Sequence, residues 1–142
     1  MTRHQPIEAP ESQPAAPGFV PRGEEEDVAR LLLRPRFPAD AETLLLAGFD
    51  AFDRLLCLEQ AKGGRDERCR VPPRCWRALL DVRPVQVLMA HNHPSGIARP
   101  SDADRAATRE AAQFLALLGI MLSDHLIFTP DGHFSFRRAG LL

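Results

Sequence analysis

A chain of 142 residues, 44% apolar and 26% charged, has the size and composition of one domain with its own core and is too short for two. Its formal net charge of −1 excludes a whole-molecule field for gripping nucleic acid or an anionic membrane, so nucleic acid is a partner that the charge does not support. No apolar run approaches membrane-spanning length, and the N-terminus lacks a basic-then-apolar leader, so the expected setting is the cytoplasm with no membrane contact.

Residues 1–23 hold five of the 13 prolines and almost no apolar periodicity. Such a stretch buries too little surface to offset its ordering entropy, so it reads as a disordered tail in which Phe19 and Val20 have the means to dock. The domain is expected over 24–142. Three glutamates open "EEEDVARLLLRPRFP" and Pro35 sets a limit near its end, which suits a short helix near 24–33. "ETLLLAGFD" (42–50) is an uncapped apolar run of strand length, and "RLLCLEQ" (54–60) reads as its hairpin partner. "AKGGRDERCR" (61–70) is a polar loop. Arg65, Arg68, Arg70, Arg74 and Arg77 crowd this region, offset in part by Asp66 and Glu67, and read as a solvated face. Pro72 and Pro73 open a helix in which Trp76, Leu79 and Leu80 share a face. "VQVLMA" (85–90) is a central strand, followed by the loop "HNHPSGIARP". Residues 101–119 carry the strongest helical signal: Ala103, Ala107, Ala111, Phe114 and Leu118 recur every three or four positions, and Gly119 is a C-terminal stop. "DHLIFTP" (124–130) and "HFSF" (133–136) are strands joined by an Asp-Gly turn. The sum is a mixed α/β domain of five or six strands and three helices.

Chemistry concentrates in "MAHNHPSGIARPSDAD" (89–104). Side chains at i and i+2 of a strand point the same way with Cα atoms about 6.5–7 Å apart, so His91 and His93 can converge on one ion. A catalytic zinc takes three protein ligands plus water, and Asp104, opening the next helix, is the candidate third. A competing reading makes "SDAD" a capping box, with Ser101 the N-cap and Asp104 at the third helical position. His-x-His alone is weak, and taken alone Ser101 and Asp104 favour the cap.

The joint pattern H-x-H-x7-S-x2-D, met by His91, His93, Ser101 and Asp104, resembles the metal signature of the JAMM (JAB, MPN) metalloprotease-like domains. "HNHPSG…PS…D" is closer still to their bacterial RadC branch. Glu42 to Asp50 with "RLL" after it, "VPPR" (71–74) and "DHLIF" (124–128) extend the resemblance over about residues 40–140. It implies an α+β fold of JAB/MPN type: a curved mixed β-sheet flanked by helices, cytidine-deaminase-like in architecture, with zinc at the sheet–helix junction. It further implies His91, His93 and Asp104 as Zn2+ ligands, Ser101 as oxyanion stabiliser and Glu42 as general base, with Glu59 on the partner strand as its competitor. The implied activity is hydrolysis of a peptide or isopeptide bond by a zinc-activated water, on a peptide or protein substrate the sequence does not name. The alternative is a non-catalytic MPN-type module that binds protein or DNA in DNA repair. A zinc deaminase would need H-x-E and a later P-C-x-x-C, which are absent from the sequence.

Elsewhere the readings are structural. His125 is a buried strand histidine or a group that orients a metal ligand from behind. Trp76 and Phe114 belong to the core, and His4 and His133 to the surface. Cys57, Cys69 and Cys75 are odd in number, lack CxxC spacing and read as free intracellular thiols. Gly96 supplies backbone freedom beside the site.

Overall fold

The computed structural model of the protein describes residues 17–63 and 70–142. Most of the expected tail, with His4, and most of the 61–70 loop, with Arg65, Arg68 and Cys69, lie outside them. A six-stranded sheet is ordered β1-β6-β5-β4-β2-β3, from strands β1 (Phe19–Pro21), β2 (Thr43–Phe49), β3 (Leu55–Lys62), β4 (Gln86–Asn92), β5 (Met121–Thr129) and β6 (Gly132–Ser135). Every pair is antiparallel except β4–β5, whose parallel pairing requires a crossover. Helix α2 (Asp102–Leu117) makes that crossover, and α1 (Pro73–Asp81) packs on the same face. The result is the expected mixed α/β architecture of JAB/MPN type.

The hairpin β2–β3 forms as the apolar runs predict. Asp50 closes its turn by accepting from Phe52 N, Arg54 N and Arg54 Nε at 2.8–2.9 Å. β2 is buried at all seven positions because it has a strand on each side and a layer on each face. One layer sets Leu44, Leu46, Val87 and Met89 against Leu79 of α1 and Leu115 of α2. The other sets Leu45, Ala47, Leu88 and Ala90 against Ala29 and Leu33. Alternation along β2 and β4 thus assigns odd and even residues to opposite layers.

Several expectations change. Phe19–Pro21, assigned to the tail, is an edge strand on β6, with Val20 buried, so the ordered fold starts before position 24. The helix expected near 24–33 is a 3₁₀ turn (Arg22–Glu24) and then a π-helical segment (Val28–Leu33). Glu25 leaves the helix start to become a buried partner of Arg34 and His133. His133, expected at the surface, is itself buried, its Nδ1 2.7 Å from that carboxylate and its ring against Phe128. β4 runs on to Asn92, so His91 lies inside the strand, opposite Leu44 on β2 and Ile127 on β5. The buried stripe of α2 is Asp104, Thr108, Ala111 and Leu115, about one residue round from the expected Ala103–Leu118 stripe. An apolar count misses it because two of its four members are polar. Phe114, expected in the core, is 38% exposed and meets the half-buried Trp76 edge-on at 5.0 Å between the two helices.

Candidate metal centre

Strand register builds the site. With Leu44 opposite His91 on antiparallel β2 and β4, Glu42 falls level with His93 one step beyond the paired residues. Even positions of β2 and odd positions of β4 share the face covered by α2, so Glu42, His91 and His93 project toward one helix. His125 is paired with Met89 on the parallel neighbour β5 and projects to the same side. Helix α2 returns from β4 with its N-terminus at the end of that strand and supplies Ser101 and Asp104. Gly96, at φ +89°, makes the connecting loop turn in a conformation that side-chain-bearing residues rarely adopt.

His91, His93 and Asp104 form a group able to hold a metal ion. His91 Nε2 lies 3.0 Å from His93 Nε2 and 3.3 Å from Asp104 Oδ1, and His93 Nε2 lies 3.3 Å from Asp104 Oδ2. Bonds of about 2.0–2.1 Å in a tetrahedral site separate ligand atoms by roughly 3.3 Å, so these spacings suit one first-row metal ion.

Hydrogen bonds behind the ligands orient them. Thr108 Oγ1 donates to Asp104 O at 2.7 Å, so toward His125 Nδ1, 2.5 Å away, it accepts. His125 therefore carries its proton on Nδ1. It is fully buried, and burial, seconded by the nearby His91 imidazole, pushes its pKa well down, so the ring is neutral. Its Nε2 then accepts from His91 Nδ1–H at 2.8 Å. His93 Nδ1 donates to Ile97 O at 2.8 Å. Both ligand histidines are thus left with an Nε2 lone pair aimed at the Asp104 carboxylate. Three electron-rich atoms so close together call for a cation among them.

The electrostatics agree. With protons on the rings in place of a cation, burial would raise the Asp104 carboxyl, but hydrogen bonds from His91 and His93, the His91 charge and the Ser101 N–H hold it well below the usual carboxylate range. Burial would likewise lower His93, yet Asp104 and the Ile97 carbonyl hold it above the ordinary imidazole value.

The cap and the ligand set coexist. Asp104 N donates to Ser101 Oγ at 3.0 Å, and Ser101 N donates to Asp104 Oδ2 at 2.9 Å. The capping reading of "SDAD" is therefore realised, and the same carboxylate stands in the group that could hold a metal. Ser101 accepts in the cap and keeps its hydroxyl hydrogen, and its side chain is exposed in the pocket.

A pocket of about 260 Å³ opens over the group, with Glu42, Ser101, Ile97 and Arg99 in its walls. Glu59 is not among its lining residues. It pairs with Leu46, four residues or about 13 Å along β3 from Gly63, which does line the pocket. Gly63 itself touches the Glu42 backbone, and a Cβ there would stand 2.9 Å from Glu42 Cβ.

Asn92 is the residue whose role sequence reasoning missed. It points to the opposite face, accepts from Thr43 N at 2.7 Å and donates to Pro38 O and Ala41 O at 3.0 and 2.9 Å. It thereby ties down the segment that carries Glu42. The signal was its place between two ligands on a strand, where alternation sends it to the far side.

A family model described as the RadC-like JAB domain matches residues 23–141. A UPF0758 protein of Burkholderia thailandensis is 39% identical over 128 residues, 88% of this chain and 45% of the relative. UPF0758 proteins of Coxiella burnetii and Thiobacillus denitrificans are each 35% identical, covering 82% of this chain and 53% and 51% of their own lengths. The chain spans about half the length of the relatives it matches. No helix among the described residues is long and apolar enough to cross a membrane.

Proposed function

The chain belongs to the RadC-like JAB domain family, and from that premise we propose that it is a zinc-dependent hydrolase of peptide or isopeptide bonds. The observation that carries this reading is the tautomer chain Thr108–His125–His91, which turns an Nε2 lone pair on the face where Glu42 and Ser101 also stand. His91, His93 and Asp104 would hold the ion. When bound, zinc lowers the pKa of water and polarises a carbonyl.

The chain's own residues do the rest. Glu42 takes the proton of the attacking water and delivers it to the leaving amine nitrogen. The Ser101 hydroxyl donates to the carbonyl oxygen as that oxygen gains charge. Asn92 and Gly63 hold Glu42 in place from behind. Cys57 and Cys75 are free thiols, which suits the reducing cytoplasm to which we assign the activity.

The test is a peptide-library cleavage screen with metal analysis. The parent is expected to hold about one zinc per chain and to lose turnover with chelator. His91→Ala and Asp104→Ala lose the metal, whereas Glu42→Gln keeps it and loses turnover. Hydrolysis by Glu42→Gln at the parental rate refutes Glu42 as base, and a metal-free, active chain refutes the whole reading.

A further inference from the structure

A second, larger groove of about 680 Å³ adjoins the metal pocket, and His93 lines both. The two differ in charge. The metal pocket sets Glu42 and Asp104 against a single arginine, Arg99, whereas the groove is lined by Arg22, Arg30 and Arg34 and by no acidic residue. The half-buried Phe37 gives it an apolar floor, backed by the buried Phe128 with the two rings 5.1 Å apart.

The three arginines are not equivalent. Arg34 is sunk into the wall, its guanidinium spent on the buried Glu25 carboxylate and on Thr129 O and Gly132 O. Arg30 reaches Asp27 through one nitrogen while its side chain stays 55% exposed. Arg22 is exposed, its guanidinium bonds Pro130 O, and among the described residues its charge meets no carboxylate partner. Glu25 and Asp27 do not line the groove, so the surface a ligand meets is cationic with an aromatic base.

We propose that this groove binds the acidic stretch of an extended peptide whose neighbouring residues lie over the metal pocket. Carboxylates on the peptide pair with Arg22 and Arg30, and its backbone and side-chain carbons rest on Phe37. The geometry makes substrate choice a matter of charge on one side of the cleavage point. That direction rests on the proposed peptide hydrolysis; the binding itself does not.

The test is fluorescence anisotropy of labelled hexaglutamate and matched hexaglutamine peptides with the full chain, with and without chelator. The glutamate peptide is expected to bind about tenfold tighter, less so as salt rises, and to do so after chelation. An Arg22→Ala/Arg30→Ala double variant loses the preference, Arg22→Glu/Arg30→Glu reverses it, and Arg109→Ala, exposed on α2 away from both the groove and the metal pocket, keeps it. Both arginines are exposed, so unchanged melting curves accompany these losses. Equal binding of the two peptides, or a preference untouched in the double variant, overturns the proposal. Oligothymidylate binding about tenfold tighter than hexaglutamate through the same two arginines also overturns it, and assigns the groove to nucleic acid. A chain that hydrolyses nothing yet keeps the glutamate preference defeats the proposed hydrolase reading and leaves the groove standing.

Discussion

Replacing His125 by leucine tests whether the tautomer chain prepares the metal site. The substitution deletes the acceptor for His91 Nδ1–H at 2.8 Å and the donor to Thr108 Oγ1. His91 is 4% exposed and Thr108 3%, so water does not replace either bond. Leaving the buried His91 N–H unmet costs about 1–3 kcal/mol in stability, whereas Thr108 keeps its bond to Asp104 O. The effect on metal is separate. Without His125, the His91 proton can sit on Nε2 as well as Nδ1, and the ligand lone pair is no longer enforced. Losing such a partner typically weakens metal binding about 10–100-fold, which is roughly 1.4–2.7 kcal/mol. His125→Gln, whose amide oxygen can accept from Nδ1–H, should recover most of that loss. The assay is competition for zinc against a chromophoric chelator, with melting curves of the metal-free variants to separate stability from affinity. If His125→Leu binds zinc within about twofold of the parent while its fold is intact, the orienting role is wrong.

Asn92→Ala should cost about 1–3 kcal/mol and lower turnover while zinc stoichiometry stays at the parental value, because the bonds it loses hold the Glu42 segment and not the ligands. Paired denaturation and metal analysis check this; loss of metal would contradict it. Ser101→Ala removes cap and hydroxyl together and should cost about 1 kcal/mol, whereas Ser101→Gly retains most of the stability. Both should lose roughly 10²–10³ in turnover on any substrate found, which separates capping from chemistry. Glu25→Ala strands Arg34 in the wall and should destabilise by about 3–5 kcal/mol in urea denaturation. Burial would raise the Glu25 carboxyl, but its bonds to Arg34 and then His133 hold it below the ordinary value. Its stabilisation is therefore complete above that ordinary value and is lost as pH falls through the lowered folded one. The melting temperature of the parent should drop across that acid window, and that of Glu25→Gln should start lower and drop less.

Strands β2 to β6, the hairpin and both α-helices were legible because each rests on local pattern, whereas the grouping of His91, His93 and Asp104 needed the family resemblance to prevail over the cap. β2 announced itself by an unbroken apolar run, and α2 by its period and cap. What stayed hidden depends on partners far along the chain. Glu25 looked like a helix-opening charge because Arg34 and His133, which make its burial tolerable, come nine and 108 residues later. Thr108 went unmarked, and His125 was left between a core histidine and a group that orients a ligand, because a hydrogen bond between a helix and a strand leaves no spacing to count. The preference for Glu42 over Glu59 came from resemblance; the register of β2 on β4 supplies a physical reason for where each one sits.

The cap and the ligand set at Asp104 looked like rivals because both need the same carboxylate. They are compatible because a carboxylate has two oxygens and about four lone-pair sites. Oδ2 accepts from Ser101 N, which fixes the side-chain rotamer, and Oδ1 remains directed at His91. The N-terminus of α2 also favours negative charge at this position, so the helix stabilises the ionised carboxylate. The position of that terminus is set by topology. A helix crossing between two parallel strands begins where the first strand ends, and β4 ends at the histidines. The same crossover that lets β4 and β5 pair in parallel therefore brings a capped carboxylate to two imidazoles on an adjacent strand. The short spacing from His93 to Asp104 in sequence is the length of that turn.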